Sequence, residues 1–142
     1  MNIIELNSTQ REEALRLAWK VFMEFEAPEY SQEGIEEFRH FVTNIAPKAD
    51  MRFWGAYVNG KLTGMIAIRQ PQHISLFFVD TKHQHKGIGR RLFETLEKEF
   101  PQGTITVNSS PYAVHIYHKL GFKDTNSEQT VNGIRFTPME HK

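Results

Sequence analysis

The chain has 142 residues and contains no cysteine. This absence excludes disulfide bonds, thiolate zinc sites, iron–sulfur clusters and any mechanism that uses a cysteine nucleophile. Apolar runs never approach the roughly 18 residues of a membrane span, and a charge occurs at Glu5, so neither membrane insertion nor secretion is indicated. We therefore expect a cytoplasmic protein. The net charge is zero, because 17 basic and 17 acidic side chains cancel. A neutral chain argues against generic nucleic-acid binding.

The neutral total conceals an uneven distribution of charge. Residues 1–50 contain ten acidic and five basic side chains, whereas residues 51–142 contain seven and twelve. Six of the acidic residues cluster in one stretch: Glu24, Glu26, Glu29, Glu33, Glu36 and Glu37. Two interpretations stay open. The cluster forms solvated helix faces, or it forms an acidic lip that attracts a cationic ligand while the basic half holds an anionic one.

Hydrophobic periodicity predicts the order β-α-α-β-β-β-α-β-α-β-β, which is one α/β domain over residues 1–142 with a mixed sheet flanked by helices. Thr9 and Glu12 predict a capping box at the start of the first helix. Asn59-Gly60 and Asn132-Gly133 predict hairpin turns, because both residue types accept positive φ. The near-continuous apolar strand from His73 to Val79 indicates burial in the middle of the sheet.

The most informative segment runs from that strand through a short loop into the next helix. Gly87 and Gly89 stand at the helix start, where free N–H groups and the positive end of the helix dipole can bind an anion. Lys86, Arg90 and Arg91 add positive charge. The spacing therefore predicts a phosphate-binding loop.

Three well-known phosphate-binding motifs do not fit this segment. A Walker A loop is excluded because no Gly-Lys-Ser/Thr sequence occurs. A dinucleotide fingerprint is excluded because Leu92 stands where its third glycine belongs. A protein-kinase glycine-rich loop lacks its partner motifs in so short a chain.

The pattern that fits is Gln84-x-x-Gly87-x-Gly89, opening a helix after a buried strand. It resembles the signature loop of the GNAT N-acetyltransferase superfamily, which wraps the pyrophosphate of acetyl-coenzyme A. The segment from Asn108 to Phe122 is similar to the family's second cofactor segment, with its strand-end Asn, helical Ala and Tyr, and terminal Gly-Phe. The resemblance is close from His73 to Lys123. It implies a GNAT-like fold, an acetyl-CoA-dependent N-acetyltransferase, acetyl-CoA as co-substrate, and no metal.

The resemblance also implies roles for particular residues. It assigns cofactor binding to Phe78, Val79, Gln84, His85, Lys86, Gly87, Ile88, Gly89, Arg90 and Asn108. In the family a backbone N–H near a bulge polarises the acetyl carbonyl, and by position this donor belongs to Phe78 or Val79. Tyr117 matches the family's general acid, since a phenol of pKa about 10 stays protonated at pH 7. The alternative for Tyr117 is a core aromatic on the helix face of Ala113 and Leu120.

The general base is less defined by the sequence. His73 stands eleven residues before Gln84, where some members of the family have a glutamate. A histidine of ordinary pKa near 6.5 can accept a proton directly or through water, so we take His73 and a water chain as the candidates. His83 and His85 have only Asp80 as a nearby carboxylate, and we expect them to be exposed residues rather than metal ligands.

The sequence thus predicts transfer of an acetyl group to a primary amine by direct attack in a ternary complex, because no cysteine can carry the acetyl group. The acidic cluster favours a small cationic acceptor, such as a small amine, a polyamine or an aminoglycoside-like compound. A protein or peptide N-acetyltransferase and a non-catalytic acyl-CoA-binding module are the alternatives. No nucleic-acid or membrane partner is expected, and a homodimer stays open.

Overall fold

The computed structural model describes residues 1–142. Its strands form a mixed sheet of order β1-β2-β3-β4-β5-β8-β6, and β7 pairs with β8 alone. The strands are β1 (Asn2–Glu5), β2 (Met51–Val58), β3 (Lys61–Arg69), β4 (His73–Val79), β5 (Ile105–Ser109), β6 (Lys123–Asp124), β7 (Gln129–Val131) and β8 (Ile134–His141). The helices are α1 (Ser8–Phe25), α2 (Gln32–His40), α3 (Ile88–Glu99) and α4 (Val114–Lys119). None of these helices is long and apolar enough to cross a membrane.

The mixed sheet and its flanking helices confirm the expected fold class. The predicted order lacks one element, the strand β6, which pairs with β8 through only two residues. So short a strand has no alternation that a sequence pattern can reveal. Both predicted hairpins are confirmed: φ is +52° and +77° at Asn59 and Gly60, and it has the same two values at Asn132 and Gly133.

Helix α1 begins earlier than the sequence indicates. Asn7 accepts a hydrogen bond from the Gln10 N–H at 2.9 Å, and the Gln10 side chain accepts one from the Asn7 N–H at 3.0 Å. The capping box predicted at Thr9 and Glu12 is therefore wrong by two residues. The reason is that Asn is a stronger N-cap than Thr, and Asn7 comes directly after β1 with an extended backbone.

Both faces of the sheet are covered, which fits the apolar character of its central strands. On one face Ala14, Ala18 and Phe22 of α1 pack against Phe53 and Met65. On the other face a second apolar cluster joins α3 and α4 to the sheet, and its fully buried side chains include Ile66, Ile74, Leu92, Phe93, Leu96 and Met139. Packing against the sheet thus fixes the positions of α1 on one face and of α3 and α4 on the other.

The parallel pairing between β4 and β5 is short. It comprises His73 with Thr106 and Ile74 with Val107, and it ends there. Ser75 is the next residue, and it is an extra residue relative to β3, because Ala67 faces Leu76 while Ile68 faces Ile74. This bulge bends β4 away from β5. A gap therefore opens in the middle of the sheet beyond Ile74.

The last hairpin is fastened to the segment between α1 and α2. The Tyr30 hydroxyl donates to the Arg135 carbonyl at 3.1 Å, and the Arg135 guanidinium donates to the Glu29 carbonyl at 3.1 Å. Gly34 and Gly133 meet backbone to backbone, so closely that a Cβ on either glycine would overlap the other. The β7–β8 turn and the start of α2 thus enclose one side of the gap.

Candidate active site

Two cavities meet where β4 and β5 separate. The larger has a volume of about 310 Å³ and lies among the end of β4, the following loop, the start of α3, and α4. The smaller, of about 140 Å³, lies among the end of α1, the bulge of β4, β5 and the β7–β8 turn. Five residues line both cavities: Glu26, Phe77, Phe78, Ala113 and Tyr117. These five mark the junction at which a group bound on one side would face a group bound on the other.

The loop before α3 has the geometry of an anion site. His85 and Gly87 have left-handed backbones, with φ of +63° and +83°, and Gly87 is the N-cap of α3 without any side-chain cap. The first N–H groups of the helix are therefore free to bind a ligand. A Cβ on Gly87 would meet nothing within 4 Å, and a Cβ on Gly89 would lie 3.6 Å from the Phe77 ring. Neither glycine is required by close packing against a neighbour, and both leave the backbone accessible to a ligand.

Eight of the ten predicted cofactor residues line the larger cavity: Phe78, Val79, Gln84, His85, Gly87, Ile88, Gly89 and Arg90. Lys86 is exposed outside the lining, and Asn108 lines the smaller cavity instead. Arg90 also donates to the Lys119 carbonyl at 3.2 Å, which joins the start of α3 to the end of α4. Of the two consecutive arginines, only Arg90 lines the cavity.

The end of β4 directs polar backbone groups into the gap. Asp80 donates its N–H to the Thr63 carbonyl of β3 at 2.8 Å. Hydrogen bonding alternates along an antiparallel pair, so the N–H and C=O of Val79 point away from β3, whereas those of Phe78 point toward it. The Val79 carbonyl indeed accepts from the Gln84 side chain at 3.0 Å. The Val79 N–H therefore faces the gap.

Tyr117 is buried between aromatic rings. Its ring centroid lies 6.0 Å from that of Phe77 and 5.2 Å from that of Phe122, in edge-to-face geometry. Burial, together with the negative charge of Glu26, raises the pKa of the Tyr117 hydroxyl. The phenol is thus a proton donor rather than a phenolate at neutral pH.

Glu26 is the site residue that the sequence interpretation did not single out. It follows the last turn of α1, where its N–H donates to the Phe22 carbonyl at 2.9 Å. Burial raises the pKa of its carboxyl to about 7, the Ser110 hydroxyl opposes this rise, and Glu29 adds to it. A signal was present in the sequence, because Ala14, Ala18, Phe22 and Glu26 stand four residues apart and share one helix face.

The remaining acidic residues of the cluster do not enter the site. Glu24, Glu29, Glu33, Glu36 and Glu37 are all exposed. Exposure of these five side chains favours the interpretation of solvated helix faces. Only Glu26 turns inward, so the site contains a single carboxylate.

His73 lies away from the two cavities and lines neither. It begins β4, whereas Phe77 and Phe78 of the junction lie four and five residues further along the strand, about 13–17 Å away at about 3.3 Å per residue. Its Nδ1 lies 2.8 Å from the Thr106 hydroxyl oxygen. Burial, with a contribution from the charge of Arg69, lowers the pKa of His73 to about 4. The structure therefore does not bring His73 and Tyr117 together.

Comparison with known proteins is consistent with this geometry. Residues 26–142 match the family model of the acetyltransferase (GNAT) domain. Among curated proteins none matches the chain in sequence.

Three solved structures illustrate the fold. A GCN5-related N-acetyltransferase from Rhodopseudomonas palustris superposes with a TM-score of 0.83 at 19% identity, over 98% of this chain and 93% of its own. The PaiA N-acetyltransferase from Thermoplasma acidophilum, in complex with coenzyme A, gives 0.74 at 22% identity over 100% and 99%. An aminoglycoside 6'-N-acetyltransferase complexed with coenzyme A gives 0.63 at 19% identity over 99% and 96%.

Proposed function

The chain belongs to the GNAT acetyltransferase family, and from this premise we propose that it transfers an acetyl group from acetyl-CoA to the primary amine of a small cationic molecule. The observation that carries the proposal is the shared position of Glu26 and Tyr117. They are the only titratable side chains that line both cavities. One can take a proton from an amine and the other can give a proton to a departing thiolate.

The larger cavity suits the donor substrate. Acetyl-CoA would supply the acetyl group as a reactive thioester. The free N–H groups at the start of α3 and the guanidinium of Arg90 suit its phosphates, and Gly87 lets the backbone approach them. The Val79 N–H would polarise the acetyl carbonyl, a contribution of about 3 kcal/mol when such a hydrogen bond tightens on the developing oxyanion.

Glu26 would act as the general base. A carboxyl of pKa about 7 is substantially ionised at neutral pH and still basic enough to accept a proton. It would take one proton from the ammonium form of the acceptor, and this exposes the nitrogen lone pair for attack on the acetyl carbon. His73 is left out of this scheme because it lines neither cavity.

Tyr117 would act as the general acid. As the carbon–nitrogen bond forms and the carbon–sulfur bond breaks, its hydroxyl gives a proton to sulfur. The nitrogen loses a second proton, which restores Tyr117, and the proton on Glu26 passes to solvent. Amide, free thiol and one released proton are the products, so atoms and charge balance.

The test is acetyl transfer by Tyr117→Phe, followed by titration of the thiol that is released. The chain has no cysteine, so a thiol reagent reports the coenzyme alone. We expect kcat to fall about 100-fold or more, with acetyl-CoA affinity by calorimetry unchanged. Tyr57→Phe, in β2 and away from both cavities, is the matched control. Unchanged kcat would contradict the role of Tyr117, and binding without transfer to any amine would favour a non-catalytic acyl-CoA-binding module.

A further inference from the structure

The smaller cavity has an aromatic wall that the proposed mechanism does not require. The rings of Phe22 and Phe38 stack with their centroids 3.9 Å apart, and Tyr30 packs on Phe22 at 5.4 Å. Phe78 meets Phe38 edge to face at 6.0 Å. Eleven of the fifteen lining residues are hydrophobic. The body of any molecule bound here would therefore contact mostly apolar surface.

The charge of this cavity is limited to one position. Glu26 is its only carboxylate, and no lysine, arginine or histidine lines it. One carboxylate can neutralise one ammonium group. A second ammonium would find no second carboxylate to neutralise it, and a carboxylate on the acceptor would meet Glu26 with no cation to balance it.

Three further small polar side chains line this cavity, Ser75, Asn108 and Ser110, and the hydroxyl oxygen of Ser110 is buried without a hydrogen-bond partner. The hydroxyl oxygen of Ser75, at the bulge of β4, is buried and has no hydrogen-bond partner. A buried hydroxyl without a partner is uncommon in folded proteins. An amine paired with Glu26 could supply that partner through a second N–H. The serine hydroxyls and the Asn108 amide carry no charge, so Glu26 is the one group here that can pair with an ammonium ion.

The volume of the smaller cavity limits the size of the acceptor's apolar body. A cavity of about 150 Å³ that is lined by apolar side chains holds one benzene ring. The smaller cavity measures about 140 Å³. It therefore accommodates one six-membered ring or a short alkyl chain.

We propose that the acceptor is a compact primary monoamine whose apolar body is about the size of one six-membered ring. This inference rests on the proposed function, and it narrows the acceptor from cationic amines in general. It excludes polyamines, multi-ring aminoglycosides and free amino acids as preferred acceptors. Glu26 holds the ammonium group, Ser75 takes a second N–H, and the aromatic wall holds the body.

Two matched pairs of acceptors test the inference with the full chain at saturating acetyl-CoA. Hexylamine and 1,6-diaminohexane differ by a second ammonium, and 2-phenylethylamine and phenylalanine differ by a carboxylate. We expect kcat/KM to be at least tenfold higher for the first member of each pair. Equal or higher kcat/KM for the diamine, for phenylalanine or for an aminoglycoside would overturn the inference while leaving amine acetylation intact. Absence of transfer to every amine, with acetyl-CoA still bound, would overturn the proposed function itself.

A variant of the aromatic wall tests the same site from the protein side. Phe38→Leu should raise KM for 2-phenylethylamine at least fivefold and leave KM for methylamine within twofold. Phe41→Leu is the matched control, because Phe41 packs on the same apolar cluster without lining the cavity. If Phe38→Leu changed KM for 2-phenylethylamine and for methylamine by the same factor, the role of the aromatic wall would be overturned. The same conclusion would follow if Phe41→Leu had the same effect as Phe38→Leu. Thermal unfolding of both variants separates this result from a loss of fold.

Discussion

The ammonium of Lys20 lies 3.1 Å from the carboxylate of Asp80, and this ion pair joins α1 to the loop that follows β4. The Asp80 side chain is only 4% exposed, whereas that of Lys20 is 57% exposed. Burial alone would raise the pKa of Asp80, but the hydrogen bond and charge of Lys20, with His83, hold it below its usual value. The loop that would receive the cofactor is thus held to the helix that carries Glu26.

Lys20→Ala should leave the buried carboxylate of Asp80 without its main partner. We expect a loss of about 1–2 kcal/mol of unfolding free energy at pH 7, measured by urea denaturation. A carboxyl of lowered pKa gives its full stabilisation above its unfolded pKa of about 4 and loses it as the pH falls through the lower folded-state pKa. The difference between wild type and variant should therefore shrink as the pH falls below about 4. Acetyl-CoA affinity should also fall. Arg16→Ala, an exposed change on the same helix, should produce neither effect.

Gly87→Ala should weaken acetyl-CoA binding by more than its effect on stability can explain. Gly87 has a φ of +83°, so alanine there costs about 1 kcal/mol of strain. Gly60 is a matched control: its φ is +77°, and a Cβ there also meets nothing within 4 Å. We expect similar losses of thermal stability in both variants and at least a tenfold loss of affinity only in Gly87→Ala. If calorimetry finds the same affinity in both, the loop does not hold the cofactor.

Glu26→Gln should lower activity and raise stability. Wild-type activity should increase with pH through about 7 as Glu26 ionises, and the variant should lack this dependence and lose about 100-fold in kcat. A folded-state pKa raised from 4.5 to about 7 means that stability falls as the pH rises through that window. Glutamine cannot ionise, so the variant should be more stable than wild type at pH 8, by about 1–3 kcal/mol.

Glu12→Gln is the control for that experiment, because Glu12 is exposed on α1 and far along the helix from the junction. It should change neither the pH profile nor the stability at pH 8. A Glu26→Gln enzyme that kept the wild-type pH profile would assign the base to another group.

His73→Gln should change stability without changing catalysis. The lowered pKa of His73 means that the folded state holds this proton less tightly than the unfolded chain. Wild-type stability should therefore decline as the pH falls from about 6.5 toward 4, by about 1–2 kcal/mol, and the variant should lack this decline. We expect kcat to change less than threefold, with the exposed His40→Gln as control. A 100-fold fall in kcat would restore His73 as the candidate base.

Local signals in the sequence were sufficient for much of the fold. Asn59-Gly60 and Asn132-Gly133 specify their turns through backbone freedom that only a few residues have. The bounds of β4, His73 to Val79, agree with prediction because its apolar run is interrupted cleanly by polar residues on both sides. In the same way, glycines at a helix start identified the loop that lines the larger cavity.

The parts that sequence did not reveal depend on register and on distant contacts. The residues near Ser75 do not predict a bulge, because a bulge is a mismatch in the pairing of two strands and not a property of the sequence of one strand. Glu26 lies among other acidic residues, and its inward direction depends on where α1 ends. His73 was a candidate because of its spacing from Gln84, yet that spacing leaves it at the opposite end of β4 from Phe77 and Phe78, where the two cavities meet.

The contact of Gly34 with Gly133 joins two segments that leave the ribosome at different times. One side of the smaller cavity comes from residues 22–38 and another from Ile134, so about one hundred residues of chain separate them. Strand β8 is also the partner of β5, β6 and β7. A nascent chain emerging from the ribosome can therefore form α1, α2 and the first hairpin early, yet it cannot close the smaller cavity until β8 has been synthesised. Binding in this cavity should thus arise only after β8 has been synthesised and has paired with β5.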